Sequence, residues 1–192
     1  MTPRKAFAAA FLGLVALSIG CAGGRARRGY QDGNMDFGAI KTVAVLPFSN
    51  LSRDAAAADR VREIFSSMLL ASGSVYVLPP GEVVRGYTRL NITDPRAPSI
   101  EDVTKLGGVL KADAVIRGVV KEYGEVRSGS STGNVISVAL EMYETSTGKI
   151  IWSATATKGG IGFGDRLLGG GGQPMEIVTE QVADELLNKL FR

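Results

Sequence analysis

Cys21 is the single thiol in this 192-residue sequence, and the sequence contains no histidine. A Ser-His or Cys-His nucleophile therefore has no partner base, and imidazole metal ligands are excluded. The acidic side chains, Asp54, Asp59 and Asp113 among them, are scattered along the chain. None falls at a spacing that pairs two carboxylates for acid–base work, and exposed aspartates commonly cap helices or carry solvated charge. The stretch Gly159–Gly172 holds eight glycines, which raises the question of a phosphate-cradling loop. Such a loop needs Gly-Lys-Ser/Thr running into its helix, and here Gly-Gly-Gly-Gly-Gln-Pro runs in without a lysine. These patterns predict a chain that is not an enzyme and that uses neither metal nor cofactor. What remains for covalent chemistry is the sulfur of Cys21, and its neighbours decide what that chemistry is.

Before Cys21 stand a short basic segment with Arg4 and Lys5, an apolar run from Ala6 to Ile19, and Gly20. These are the parts of a secretory signal. Ala6–Gly20 is 15 residues, short of the roughly 20 that cross a bilayer as a helix, so residues 1–20 are expected to be a cleaved signal. Ser18-Ile19-Gly20-Cys21, preceded by Leu17, resembles the lipobox of bacterial lipoproteins, with one departure: Ser18 stands where leucine is commonest. The resemblance implies a lipoprotein signal peptide, a diacylglyceryl thioether on Cys21 and an acylated new amine. It also accounts for a lone cysteine in an exported chain, which would otherwise lack a disulfide partner. Ala22 occupies the place where an aspartate would resemble an inner-membrane retention signal. The expectation is therefore an outer-membrane anchor on the periplasmic face, held stably by two or three acyl chains.

The formal charge of +3 falls to +1 once Arg4 and Lys5 leave with the signal, so nucleic acid is not an expected partner. Residues 21–39 are rich in Gly, Arg and Asp and show no periodicity. They predict a lipidated flexible tether, about 60 Å long at most, with Arg25, Arg27 and Arg28 as solvated charges. A composition of 45% hydrophobic and 21% charged residues suits neither disorder nor several membrane spans, and residues 40–192 are read as a single α/β domain.

Within it, Lys41–Phe48 is a β-branched apolar run ended by Pro47, a buried strand. Asp54 is placed to cap a helix over Ala55–Ser72, where Val61, Ile64, Phe65, Met68 and Leu69 form one stripe and Gly73 ends it. Ser74–Leu78 alternates as a second strand, closed by Pro79 and Pro80. Gly81–Leu90 reads as a short helix, 91–98 as a loop, and Ile100–Leu110 as a helix capped by Ser99, with Glu101 and Asp102 in its first turn. Ala112–Tyr123 is a third strand, Gly124–Gly133 a hairpin loop, and Asn134–Glu144 an alternating strand with Ile136, Val138, Leu140 and Met142 on one face. Thr145–Gly148 turns into Lys149–Thr157, where Trp152 is read as packing. Met175–Phe191 closes the chain as a helix with Ile177, Val178, Val182, Leu186, Leu187 and Leu190 inward. Arg117 and Lys121 are read as a wet sheet face. The order β-α-β-α-α-β-β-β-α predicts a mixed, mostly antiparallel sheet covered by helices, an α/β sandwich.

Three segments carry a more specific likeness: AVLPF at the first strand, LKADAVIRG at Leu110–Gly118, and TSTGKIIWSA at Thr145–Ala154. With the pattern of elements around them they resemble the envelope group that includes the amino-terminal domain of TolB, the curli secretion protein CsgG, the polysaccharide export protein PelC and the synthase activator LpoB. The likeness is greatest to the lipoproteins first described as neisserial vaccine antigens, and it covers about residues 40–190. It implies an oligomeric, membrane-lipid-anchored accessory component of an envelope secretion or export system, with envelope proteins as partners. A regulator of a cell-wall synthase is the alternative. A pore is disfavoured, because Gly124–Gly133 and Gly159–Gly172 are too short or too glycine-rich for membrane-crossing hairpins. The second of these stretches nonetheless carries Ile161, Phe163, Leu167 and Leu168, expected to contact a neighbouring subunit or the membrane.

Overall fold

A computed structural model describes residues 29–129, 131–161 and 172–191. Seven strands among them form one mixed sheet. In chain order these are β1 (Gly29–Gln31), β2 (Thr42–Val45), β3 (Ser49–Asn50), β4 (Tyr76–Val77), β5 (Ala114–Ser128), β6 (Ser131–Glu144) and β7 (Ile150–Gly159). The α-helices among the described residues are α1 (Ala57–Ala71), α2 (Pro80–Arg89), α3 (Ile100–Leu110) and α4 (Met175–Leu190). The sheet order is β1-β7-β6-β5-β2-β4, with β3 paired to β5 beyond the end of β2. β2 runs parallel to both β4 and β5, whereas β5, β6, β7 and β1 are antiparallel neighbours.

The alternation along β2 explains why helices lie on both faces. Val43 and Val45 enter one apolar cluster while Ala44 and Leu46 enter another on the opposite side. Successive side chains of a strand point to opposite faces, so a fully apolar run must be covered twice. The larger cluster joins Val61, Phe65 and Leu69 of α1 and Val178, Val182 and Leu186 of α4 to Ile116, Ile136, Val138, Leu140 and Trp152. The smaller one joins Val83 of α2 and Val103 and Leu106 of α3 to Val115 and Tyr143. Trp152 is 1% exposed and its indole Nε1–H donates to the Lys189 carbonyl at 3.2 Å, as a packing role requires. The parallel β2–β5 pair is fastened at its start by Asp113, whose carboxylate accepts from the backbone N–H groups of Lys41 and Thr42 at 2.9 and 2.8 Å.

Most boundaries lie within a few residues of those read from the sequence, but three expectations need correction. Part of the tether over 21–39 belongs to the fold: Gly29, Tyr30 and Gln31 pair with Ala154, Ser153 and Trp152 as an edge strand. A 3₁₀ turn follows at Phe37–Ala39, and Met35 and Phe37 pack on the main core. Three residues are too few to display alternation, so this strand had no readable period.

Gly124–Gly133 is not a loop. β5 and β6 stay paired through Glu125↔Asn134, Val126↔Gly133 and Arg127↔Thr132 to the turn beside Gly129, whose φ is +62°. Small polar residues conceal this ribbon from a hydrophobic pattern, while backbone hydrogen bonds propagate from the stem whatever the side chain.

Ile177 is the third correction. It is 41% exposed, because the phase of α4 is set by Val178, Val182 and Leu186 and leaves Ile177 one residue off that stripe.

Candidate functional site

Four of the five predicted site residues, Cys21, Phe163, Leu167 and Leu168, lie outside the described residues. Ile161 is half-buried just past the end of β7, near enough to β6 that a side chain at Gly133 would meet its Cγ1 at 3.3 Å. Both ends of the glycine-rich stretch are tied to the beginning of β6. Gly160 N–H donates to the Asn134 carbonyl at 2.7 Å, and Gly172 N–H to the Thr132 carbonyl at 3.1 Å. The Asn134 amide donates to the Gln173 carbonyl at 2.8 Å. The stretch therefore leaves and returns at one place, beside the β5–β6 ribbon. Gly159 and Gly160, at φ +84° and +94°, make the departure in a backbone region open to glycine at little cost.

Among the described residues the helices leave part of one sheet face open. α2 and α3 pack over β2 and the start of β5, so among the described residues no helix covers the same face of β6, β7 and β1. Arg117, read with Lys121 as a wet sheet face, is half-buried and pairs with Glu141 at 2.7 Å between Nε and Oε2. The Tyr143 hydroxyl donates to the same Glu141 oxygen at 2.7 Å, and the Arg117 guanidinium carbon sits 5.6 Å from the Tyr143 ring centroid. Burial, reinforced by the Glu141 carboxylate, pushes the Tyr143 phenol up to about 12. That phenol keeps its proton at neutral pH and donates it in the hydrogen bond to Glu141. Beside it a shallow groove of about 530 Å³ is lined by Gly29, Tyr30, Lys121, Ala139, Ser153 and Thr155. Sequence reasoning missed Tyr30, whose only signal was to be the one aromatic residue between Ala22 and Asp36.

At the other face α4 is clamped onto β7. Glu185 receives Lys158 at 2.7 Å and Lys189 at 2.6 Å, and Lys189 also donates to the Thr155 carbonyl at 2.8 Å. Burial alone would raise the Glu185 carboxyl, but the two lysine hydrogen bonds outweigh it and hold the group below its ordinary value. Among the described residues no three acidic or thiol side chains converge as a metal site requires, and no helix is long and apolar enough to cross a membrane.

Residues 35–189 match a family model described as "Putative lipoprotein GNA1162-like". No curated protein matches the chain in sequence. Among solved structures it is similar to a PelC dodecamer from Paraburkholderia phytofirmans, at 20% identity over 85% of this chain and 96% of that one, with a TM-score of 0.58. It is similar also to lipoprotein GNA1162 from Neisseria meningitidis, at 22% identity over 77% and 99% of the two chains and a TM-score of 0.54. The LpoB C-terminal domain from Salmonella enterica matches at 13% identity over 66% and 87%, with a TM-score of 0.51. At these identities the likeness is one of fold, and it is the fold that the three sequence segments pointed to.

Proposed function

This chain belongs to the family of GNA1162-like lipoproteins, and from that premise we propose that it is anchored in the outer membrane through an acylated Cys21. It faces the periplasm and serves, without catalysis, as an oligomeric accessory component of an envelope secretion or export system. The observation that carries this reading is where the chain enters the sheet. Gly29 already pairs with Ala154, so eight peptide steps separate it from Cys21, at most about 28 Å in any conformation. A domain held that close acts on machinery in or against its own membrane. The fold shared with a PelC dodecamer supports assembly as a ring, the usual outcome when identical subunits meet head to tail and close.

The second reading, a regulator of a cell-wall synthase, is favoured by the likeness to the LpoB C-terminal domain. Such a regulator must reach across the periplasm to its partner, and eight residues do not supply that reach. Ile161, Phe163, Leu167 and Leu168 are the proposed contact with a neighbouring subunit or the membrane. Deleting Ile161–Gly172 should then shrink the assembly, and an unchanged oligomer with unchanged membrane activity would sink that assignment.

The deciding experiment is mass analysis and fractionation of the native protein beside Cys21→Ala in a detergent extract. A mature chain beginning at an acylated Cys21 and running as a large oligomer is the expected result. A lipidated monomer would favour the regulator. A soluble, unacylated protein would overturn the anchor.

A further inference from the structure

We infer that the side of the domain formed by β1 and the adjoining edge of β7 rests against the bilayer that holds the anchor. The inference depends on acylation of Cys21 as proposed above. It follows from the direction and the length of the connection. β1 is antiparallel to β7, with Gly29 opposite Ala154 and Gln31 opposite Trp152, so the chain reaches Gly29 from the side of Gly159, away from the β6–β7 turn. From there the anchoring sulfur-bearing residue is at most about 28 Å distant.

The other sides of the domain are harder to reach from Gly29. β4 lies five strand spacings from β1, about 24 Å along the sheet, and a connection to that side must also pass around a layer of helices. The tip of the β5–β6 ribbon is equally unsuitable. Ala154 is level with Leu140, nine residues along β6 from Ser131, which is about 30 Å and beyond even a fully extended connection. The β6–β7 turn is nearer but lies behind the direction of entry.

The chemistry of the remaining side fits a headgroup layer rather than acyl chains. Tyr30 on β1 is 50% exposed, and a phenol suits a boundary that is apolar on one side and wet on the other. The groove next to it presents Lys121, Ser153 and Thr155, which offer a cation and hydroxyls to phosphate and carbonyl oxygens, and its one carboxylate, Glu141, is already paired with Arg117. Leu140, the large aliphatic residue that also lines it, is fully buried, so none in this groove demands insertion.

The sheet supplies its own matched pair of probes. Tyr30 and Tyr76 stand on the opposite edge strands β1 and β4, at 50% and 55% exposure. With Cys21 acylated, no other thiol is present, so Tyr30→Cys and Tyr76→Cys can each be labelled singly with a fluorophore. The labelled lipoproteins are reconstituted in phosphatidylethanolamine–phosphatidylglycerol vesicles that carry a nitroxide quencher on a fraction of the headgroups. Quenching at position 30 is expected to be several-fold stronger than at position 76. Equal quenching, or the reverse order, would overturn the proposal. Protein that fails to float with the vesicles would reveal a different failure, that of the anchor itself, and would take the proposal with it.

Discussion

Gly118 lies on β5 opposite Leu140, where a Cβ would stand 2.6 Å from the Leu140 Cδ2 and 2.7 Å from the Phe48 Cδ1. Sequence alone shows a glycine inside a strand pattern, which hints at a close approach without naming what approaches. Gly118→Ala is expected to destabilise the protein by about 1–3 kcal/mol through overpacking. This should read as a lower denaturant midpoint at unchanged slope, and an unmoved midpoint would mean that Phe48 yields without cost. Tyr143 makes a second prediction, in pH. Its phenol ionises at about 12 in the fold because of burial and then of Glu141, against about 10 in an unfolded chain. Below pH 10 both states hold the proton and the contribution is fully present. Between 10 and 12 only the unfolded chain ionises, so stability falls as pH rises. The midpoint should drop more steeply over that interval in the native protein than in Tyr143→Phe, and parallel curves would refute the assignment. At this scale the expected core was readable, Trp152 and Leu140 included, because apolar type and period are written in the sequence. Glu141 as the shared partner of Arg117 and Tyr143 was not, since the first pairing spans 24 residues across two strands.

Element α3 begins where the sequence placed it, and the reason is local. The Ser99 hydroxyl accepts from Asp102 N–H at 3.1 Å, while the Asp102 carboxylate accepts from the Ser99 N–H and hydroxyl at 3.0 and 2.8 Å. This reciprocal box satisfies donors that a helix start leaves open. The Ser99 hydroxyl, then its backbone N–H, hold the Asp102 carboxyl below the ordinary range. Ser99→Ala should cost about 1 kcal/mol at neutral pH. A depressed carboxyl gives its stability above the unfolded value and loses it as pH falls through the folded one. The gap between native and Ser99→Ala midpoints should therefore narrow on acidification, and a gap independent of pH would exclude the box as its source. The β5–β6 ribbon behaves differently. Beyond Val120 no strand among the described residues pairs with it on the β3 side, so its outer amides, Gly124 to Arg127, should exchange hydrogen well before those of Ala114 to Val120 at the sheet centre. Uniform protection along β5 would contradict that ordering.

Taken whole, the molecule holds two apolar clusters on opposite faces of one sheet, and β2 and β5 supply side chains to both. Val61 in α1 and Val103 in α3 are 2% and 0% exposed and belong to different clusters. Each truncation to alanine should cost about 2 kcal/mol. The double variant should be additive within roughly 0.5 kcal/mol, because the sheet separates the sites and they share no partner. Both should still unfold in one transition, since neither helical layer has a core without the shared strands. Two separated transitions, or a strong coupling term, would show the clusters to be organised otherwise.

What the sequence determined by itself was local: the helices α1, α3 and α4, the buried strand β2, and the hairpin from Thr145 into Trp152. Each rests on a period, a cap or a turn that a few neighbouring residues specify. Tertiary structure alone decided that Gly29–Gln31 joins the sheet, that β5 and β6 pair out to the turn at Gly129, and which strands α2 and α3 cover. These outcomes depend on backbone hydrogen bonds and on which element covers which strand, and a backbone N–H donates to a distant carbonyl without leaving a mark in side-chain type. The change in β1 alone shortens the connection to Cys21 from the whole of residues 22–39 to residues 22–28. If Cys21 carries the proposed anchor, the shorter connection keeps the domain close to its membrane.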